Sequence, residues 1–392
     1  MRPFPEARLS GTQIHRWALQ WLLEARLLRD HGPLCTAVAV CNILLHAASR
    51  LASLLAACRD LSLAPSPQAV FRALRHGLPR TLAVLEGRLN DALLGVGLRR
   101  LRRRAWPVAI DWHLVPYYGR PQRSRNEVYC SKPRQGTTRF HAYATACVVQ
   151  AGRRYTLALS WVRRHETGAV VLRRLLARLR QRGLRIKLLL LDRYFYGVPV
   201  MALLQELRVP FLMPVAERGR KPRRRRRATS GPRWLRRQRA GWYSHTLKRG
   251  RQEVKVSLCV CYHSYRRRDS GERRRQKLLF AAWRVRGAPR EIHRRYRTRF
   301  GIETSYRQAR QARIYTCTRD PRVRLVFVAV ALLLRNLWVW VHAEVLARGG
   351  APGRAPQLGR LRFRQLLDWV ARAVAALMHD GSTPCIVLDR AG

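Results

Sequence analysis

Acidic side chains are scarce in this chain, 22 Asp and Glu against 79 Lys and Arg, so each can be weighed for the chemistry it could do. Three of them follow short apolar runs that read as strands: Asp111 after Val-Ala-Ile, Asp192 after four leucines, and Asp389 after Cys-Ile-Val-Leu. A carboxylate at the end of a buried strand is costly unless something charged holds it, and a bound cation is a natural holder. Asp389 has only three residues after it and reads as a tail. Asp111 and Asp192 lie 81 positions apart, room for two strands and a helix, so they could end neighbouring strands of one sheet. The competing reading is that both cap turns or pair with arginine. A further acid, Glu303, sits in a helical stretch with Tyr296, Arg299 and Arg310, at offsets of 3, 7 and 14 from the tyrosine. At about 100° per residue the four share one face within about 60°. Alone, that stripe also fits a solvated, arginine-paired helix face.

The elements that must position these residues can be read from hydrophobic period. Residues 1–104 read as helical, with apolar periodicity over 17–28, 37–55 and 68–78. The stretch 51–78 has the look of a helix-turn-helix, which makes this region a candidate DNA-end-binding domain or a plain helical bundle. From 105 to 216 the texture is that of a first part of an α/β core: strands at 107–111, 140–150 and 155–162, a helix at 166–182, a strand at 186–192, a helix at 198–207 and a strand at 209–215. Residues 217–285 read as a basic, β-rich insertion, with strands at 242–248, 253–263 and 277–285. The second part of the core, 286–346, carries one long helix over 289–313 and an apolar helix over 323–346; a last helix, 361–378, lies in the segment 347–392. The fold class expected is α/β with a mixed sheet.

The formal net charge of +57 excludes most metabolic enzymes and calls for a polyanion, with nucleic acid ahead of a membrane surface. The run Arg223 to Arg227, with Arg223, Arg224 and Arg225 at its head, lies near Trp234 and Trp242, a combination able to attract phosphates and stack on an unpaired base; the commoner meaning of such a pattern is a solvated linker with core tryptophans. Nine cysteines without a CxxC pair suit a reducing cytoplasm. Cys259, Cys261 and His263 alternate along a strand, where a packed face is the expected reading over a metal site. The first residues do not read as a signal peptide, and the most apolar run, 325–334, is expected to be a buried helix, not a membrane span. His113, on the same side of its strand as Asp111, is expected to be a core histidine.

In order and surroundings, Asp111, Asp192 and Glu303 resemble the acids of the DDE transposases of bacterial and archaeal insertion sequences. The late helix is similar to that family's Tyr-x2-Arg-x3-Glu-x6-Lys signature, here Tyr296, Arg299, Glu303 and Arg310, with arginine where lysine is usual. The run Leu191-Asp192-Arg193-Tyr194-Phe195-Tyr196 is similar to an Asp-Arg-Gly-Phe-Tyr run of one branch, with Tyr194 in the glycine position. Asp111-Trp112-His113-Leu114-Val115-Pro116-Tyr117-Tyr118-Gly119, followed by Gly136-Thr137-Thr138-Arg139-Phe140, looks most like the halobacterial insertion-sequence branch. The likeness covers residues from about 105 to 345.

The resemblance implies a ribonuclease-H-like fold in which Asp111, Asp192 and Glu303 are both catalytic residues and ligands of two divalent metal ions, normally Mg2+, with Mn2+ able to substitute. Oxygen ligands suit a hard cation, and two ions about 4 Å apart can serve in-line phosphodiester displacement. It implies further that Tyr296, Arg299 and Arg310 hold terminal phosphates, with Arg193 beside the second acid as another DNA contact. Arginine at 310 offers a planar fork in place of a point charge. The implied partners are double-stranded DNA with terminal inverted repeats, target DNA and a second copy of the chain, in the cytoplasm at the nucleoid and with no membrane. Two other readings stay open: a transposase-fold protein that binds DNA without cutting, and a basic RNA-associated binder whose acids only balance arginine.

Overall fold

The computed structural model of the chain describes residues 9–95, 101–216, 235, 238–267, 269–347 and 358–380. Five helices come first: α1 (Gly11–Glu24), α2 (Ala37–Arg50), α3 (Leu54–Asp60), α4 (Pro67–Gly77) and α5 (Leu82–Leu94). Four of them start where the chain offers a hydroxyl: Ser10, Thr36, Ser53 and Ser66 each accept a hydrogen bond from a backbone N–H of the first turn. The fifth, α5, ends at Gly95, whose φ of +51° and closeness to the Trp21 ring leave no room for a side chain.

Nine strands follow with their helices: β1 (Ala105–Pro116), β2 (Tyr129–Arg134), β3 (Thr137–Val148), β4 (Thr156–Val162), α6 (Gly168–Gln181), β5 (Arg185–Leu191), α7 (Val198–Glu206), β6 (Phe211–Pro214), β7 (Gly241–Arg249), β8 (Gln252–Arg266) and β9 (Arg273–Trp283). They form one sheet in the order β2-β3-β1-β5-β6-β9-β8-β7, with β4 also on β3. Pairing is antiparallel except for β1 with β5 and β5 with β6, so the sheet is mixed, as expected. The last helices are α8 (Pro289–Arg297), α9 (Gly301–Ala309), α10 (Pro321–Trp340) and α11 (Phe363–Met378).

Alternation along the central strands decides which helices lie on which side. Val108, Ile110, Leu189, Leu191, Phe211 and Met213 face the large core shared with α1–α7, α10 and α11. The residues between them, Ala109, Leu190 and Leu212, face a second core with Ile292, Tyr296, Ile302 and Tyr306 of α8 and α9. Asp111 has the parity of Ala109, so its side chain points to the face that α9 covers.

Several expectations need correction. Asp111 does not end its strand: β1 runs on to Pro116, because the antiparallel partner β3 continues beside it after the parallel partner β5 has stopped. Asp192 follows the fifth strand, not the fourth, since β2 was not foreseen. Helix α5 lies in the region read as helical, though no apolar period there singles it out. The single long helix over 289–313 is broken, with a 3-10 turn at Thr298–Phe300 and another at Arg310–Ala312. Strands β7 to β9 pair onto β6 and so extend the main sheet. The apolar helix expected over 323–346 is present and buried, as α10 with the π-helical turn Val341–Val345; it is nonetheless long and apolar enough to cross a membrane, which the ten-residue run 325–334 was not, although its most apolar stretch is mostly buried within the protein.

Strand β4 has β3 on one side only, and side chains satisfy much of its other edge. Asn90 brackets Leu159, accepting from its N–H at 2.7 Å and donating to its carbonyl at 3.1 Å, and Glu86 accepts from the N–H of Trp161 at 2.7 Å. Asn336, fully buried in α10, accepts from Thr156 N–H at 2.8 Å and donates to the carbonyls of Thr156 and Leu93 at 2.7 and 2.9 Å. Replacing Asn336 by leucine strands these groups and is expected to cost about 3 kcal/mol, since unpaired buried polar groups cost roughly 1–3 kcal/mol each; urea denaturation measures it.

His141, on β3, is buried edge-on against Tyr117 with no hydrogen-bond partner for either ring nitrogen. Burial, helped by the Arg324 charge, pushes its pKa down from 6.5 to about 3. The folded value is depressed, so its contribution is fully present above the unfolded value of 6.5 and is lost as pH falls from there toward 3. His141→Leu should therefore remove about 1.4 kcal/mol per pH unit from the acid-side slope of the unfolding free energy below about pH 6, read by denaturant melts at pH 7.5, 6 and 5.

Three carboxylates in one cavity, a candidate active site

The parallel register of β1 and β5 pairs Ile110 with Leu191, so the residues that follow them, Asp111 in β1 and Asp192 just past the end of β5, emerge side by side at the sheet. Asp192 caps the 3-10 turn Arg193–Phe195, its Oδ1 accepting from Tyr194 N–H at 2.8 Å. Glu303 comes from α9 above the same face. All three acids line one cavity of about 470 Å³. The expectation that the two aspartates are neighbours in one sheet is met, and the cavity holds the three acids together.

Arg299 lies between them. Its Nη1 donates to Asp111 Oδ2 at 3.0 Å and its Nη2 to Glu303 Oε1 at 2.7 Å. The 3-10 turn between α8 and α9 is what carries the arginine inward, and its side chain is only 8% exposed. Glu303 is half exposed. Burial raises the pKa of Asp111 to about 6; Arg299 pulls it down while the neighbouring charge of Asp192 pushes it up. Burial raises Asp192 as well, against the Tyr194 N–H that favours its anion. Two desolvated carboxylates side by side favour a cation between them.

The donor set fits a hard divalent ion, since it offers carboxylate oxygens only. Among the described residues no group of three His, Cys, Asp or Glu side chains is placed to hold a metal ion as it stands. In this arrangement Arg299 supplies the neutralising charge for two of the three acids.

One wall of the cavity is aromatic. Trp112 packs at 5.0 Å on Tyr129 and 4.7 Å on Tyr194, whose hydroxyls meet at 3.3 Å. Arg134, Arg307 and Arg310 complete a basic rim. Sequence reading missed Tyr129, Arg134 and Arg307; Arg307, four residues after Glu303, could have been found by helical spacing, whereas Tyr129 and Arg134 lie on the unforeseen β2. His113 is half-buried and stacks on Tyr306 at 4.7 Å; burial and the charges of Arg310 and Arg313 lower its pKa to about 4.

The remaining candidates divide. Arg310 lines the acid cavity and a smaller one beside it. Tyr296 and Arg193 line a separate cavity of about 510 Å³ with Lys277, His293 and Phe300, although the Arg299 guanidinium still lies 5.8 Å from the Tyr296 ring. The break in the helix thus splits the foreseen stripe between two cavities. Trp242, on β7, donates to the Gly287 carbonyl at 2.9 Å and packs against the second core. Cys259 and Cys261 are buried in that core, and the His263 ring packs on His293 at 4.5 Å. Arg223, Arg224, Arg225, Trp234 and Asp389 lie outside the described residues.

No curated protein matches the chain. Among solved structures it is similar to the piggyBac transposase in a cryo-EM synaptic complex with hairpin DNA, at 13% identity and a TM-score of 0.50, over 95% of this chain and 80% of that one. This likeness shows the fold, a mixed sheet flanked by helices of the ribonuclease-H-like transposase kind. A family model described as the transposase DDE domain matches residues 102–337, a segment that begins just before β1, contains all three acids and ends within α10; on that match the chain belongs to the DDE-domain transposases.

Proposed function

We propose that this transposase cleaves the ends of an insertion sequence and joins the freed 3′-hydroxyl to target DNA, with Asp111, Asp192 and Glu303 as its catalytic acids. The observation that carries the reading is the convergence of these acids, drawn from two strands and a helix, on one cavity walled by aromatic rings and rimmed by arginine. A divalent metal held by the three carboxylates, Mg2+ or Mn2+, would supply charge neutralisation at the phosphodiester and activation of the attacking oxygen. The chain's own residues do the rest. Arg134, Arg307 and Arg310 draw the phosphate backbone to the cavity mouth, and Trp112 with Tyr129 and Tyr194 shields one side of it from water. Arg299 neutralises Asp111 and Glu303 until another cation takes that task, and is then free for a phosphate. Tyr296 and Arg193, in the adjoining cavity, contact the strand that runs on from the scissile bond.

In this reading the partners are double-stranded DNA with terminal inverted repeats, target DNA and a second copy of the chain, and the protein works in the cytoplasm at the nucleoid. The similarity of Tyr296, Arg299, Glu303 and Arg310 to the helix signature of insertion-sequence transposases, and of the run after Asp111 to their halobacterial branch, supports an insertion-sequence origin.

A second reading is favoured by one observation: the Arg299 fork is spent on two of the three acids, as in a protein that keeps the fold and grips DNA without cutting. Incubating the full chain with DNA bearing the element's ends, with and without Mg2+, separates the two. Metal-dependent nicking at the ends supports the enzyme; binding with no cleavage under Mg2+ or Mn2+ supports the second reading.

A further inference from the structure

One turn after Glu303, on the same helix, stands Tyr306, which sequence reading passed over. Both line the acid cavity, but Glu303 is half exposed whereas Tyr306 is buried. Its hydroxyl lies 3.0 Å from the main-chain carbonyl of Asp111 and 2.6 Å from Thr145 Oγ1. Thr145 is the residue opposite Asp111 in the antiparallel pairing of β1 with β3. A carbonyl can only accept, so Tyr306 donates its single proton to Asp111 and accepts from the threonine. The ring is covered on one side by His113 at 4.7 Å.

One hydroxyl thus fastens the helix of the third acid to the strand of the first, and it does so through backbone. That distinguishes it from Arg299, whose two bonds are made to the carboxylates themselves and compete with any cation that enters. The bond from Tyr306 itself occupies no carboxylate oxygen. We propose that Tyr306, supported by Thr145, is a positioning residue that ties the helix of Glu303 to the strand of Asp111, so that the acids can close on a divalent cation once Arg299 yields its place. The inference rests on the active-site reading above.

The test measures Mn2+ binding to the full chain by the EPR signal of the free ion, together with the Mg2+ dependence of end cleavage. Tyr306→Phe keeps the ring on His113 and removes only the hydroxyl. It is expected to weaken Mn2+ binding by roughly tenfold, the scale of one buried hydrogen bond. The Mg2+ concentration for half-maximal cleavage should rise by the same factor, while the rate at saturating Mg2+ and the affinity for end DNA stay within about threefold of wild type. Thr145→Val should shift both midpoints in the same direction by a smaller factor, and Thr145→Ser, which restores the hydroxyl, should shift neither.

A fall in melting temperature with unchanged Mn2+ affinity in Tyr306→Phe would mean an ordinary packing role and overturn the inference. If Tyr306→Phe does not fold, the threonine pair decides, and equal metal affinity of the valine and serine variants overturns it. Failure of the underlying reading shows differently: wild type then binds no Mn2+, or Asp192→Asn binds it as well as wild type does.

Discussion

Asp192→Asn is expected to abolish cleavage of end-containing DNA while the protein still binds that DNA. Asparagine is nearly isosteric and can still accept from Tyr194 N–H, the bond that caps the turn after β5, so the local fold has no reason to change. What it loses is a negative charge beside Asp111. The pair of half-buried carboxylates is the feature that makes a divalent ion welcome, and burial raises the pKa of both. Halving that charge removes electrostatic stabilisation that metal sites supply at several kcal/mol; about 4 kcal/mol corresponds to about a thousandfold in rate. Cleavage within a few-fold of wild type, measured as single-turnover nicking at saturating Mg2+, would falsify the assignment of Asp192 to the catalytic centre. Asp111→Asn and Glu303→Gln belong to the same series. Asp111→Asn bears on more than charge, because Arg299 then loses one of its two acceptors.

The second large effect concerns Arg299 itself. Among the described residues its guanidinium is the one cation bonded to Asp111, and both side chains are mostly buried, 8% and 18% exposed. Arg299→Met leaves that carboxylate desolvated and uncompensated beside Asp192. Breaking a buried pair from one side costs about 3–5 kcal/mol; with Glu303 half exposed the lower end, about 3 kcal/mol, is expected here. The distinguishing result is the response to Mg2+. A ligand that binds only the folded state stabilises by about 2.7 kcal/mol at a hundred times its dissociation constant, so added Mg2+ should restore most of the variant's loss in urea melts and do less for wild type, where arginine competes. A variant whose stability ignores Mg2+ would show that the three acids do not form a cation site.

Much of this could be read without a structure. The two aspartates were found because a carboxylate after an apolar strand is an energetic anomaly, and Glu303 because its helical spacing from Tyr296 and Arg299 is periodic. Strand-like runs in the sequence mark every strand of the mixed sheet but β2. The misses also have physical causes. Strand β2 carries Lys132, Pro133 and Arg134 at its exposed end, so no apolar alternation announces it. The breaks in the 289–313 helix leave no mark in sequence, since Thr298, Arg299 and Phe300 fit an α-helix as well as a 3-10 turn. The run on of β1 past Asp111 is set by a partner about 30 residues away, Phe140 to Thr145 on β3.

By itself the sequence determined what is local and periodic: the residue types able to hold a cation, the faces they occupy on their own elements, and the positive charge that calls for a polyanion. Only the tertiary structure decided which of these groups meet. It placed Arg299 between Asp111 and Glu303, moved Tyr296 into a neighbouring cavity, and brought Tyr306 under Asp111. The reason is that contacts across 160 to 195 residues depend on strand register, on where a helix breaks and on how two cores share one sheet, and none of these is encoded in the spacing of neighbours along the chain.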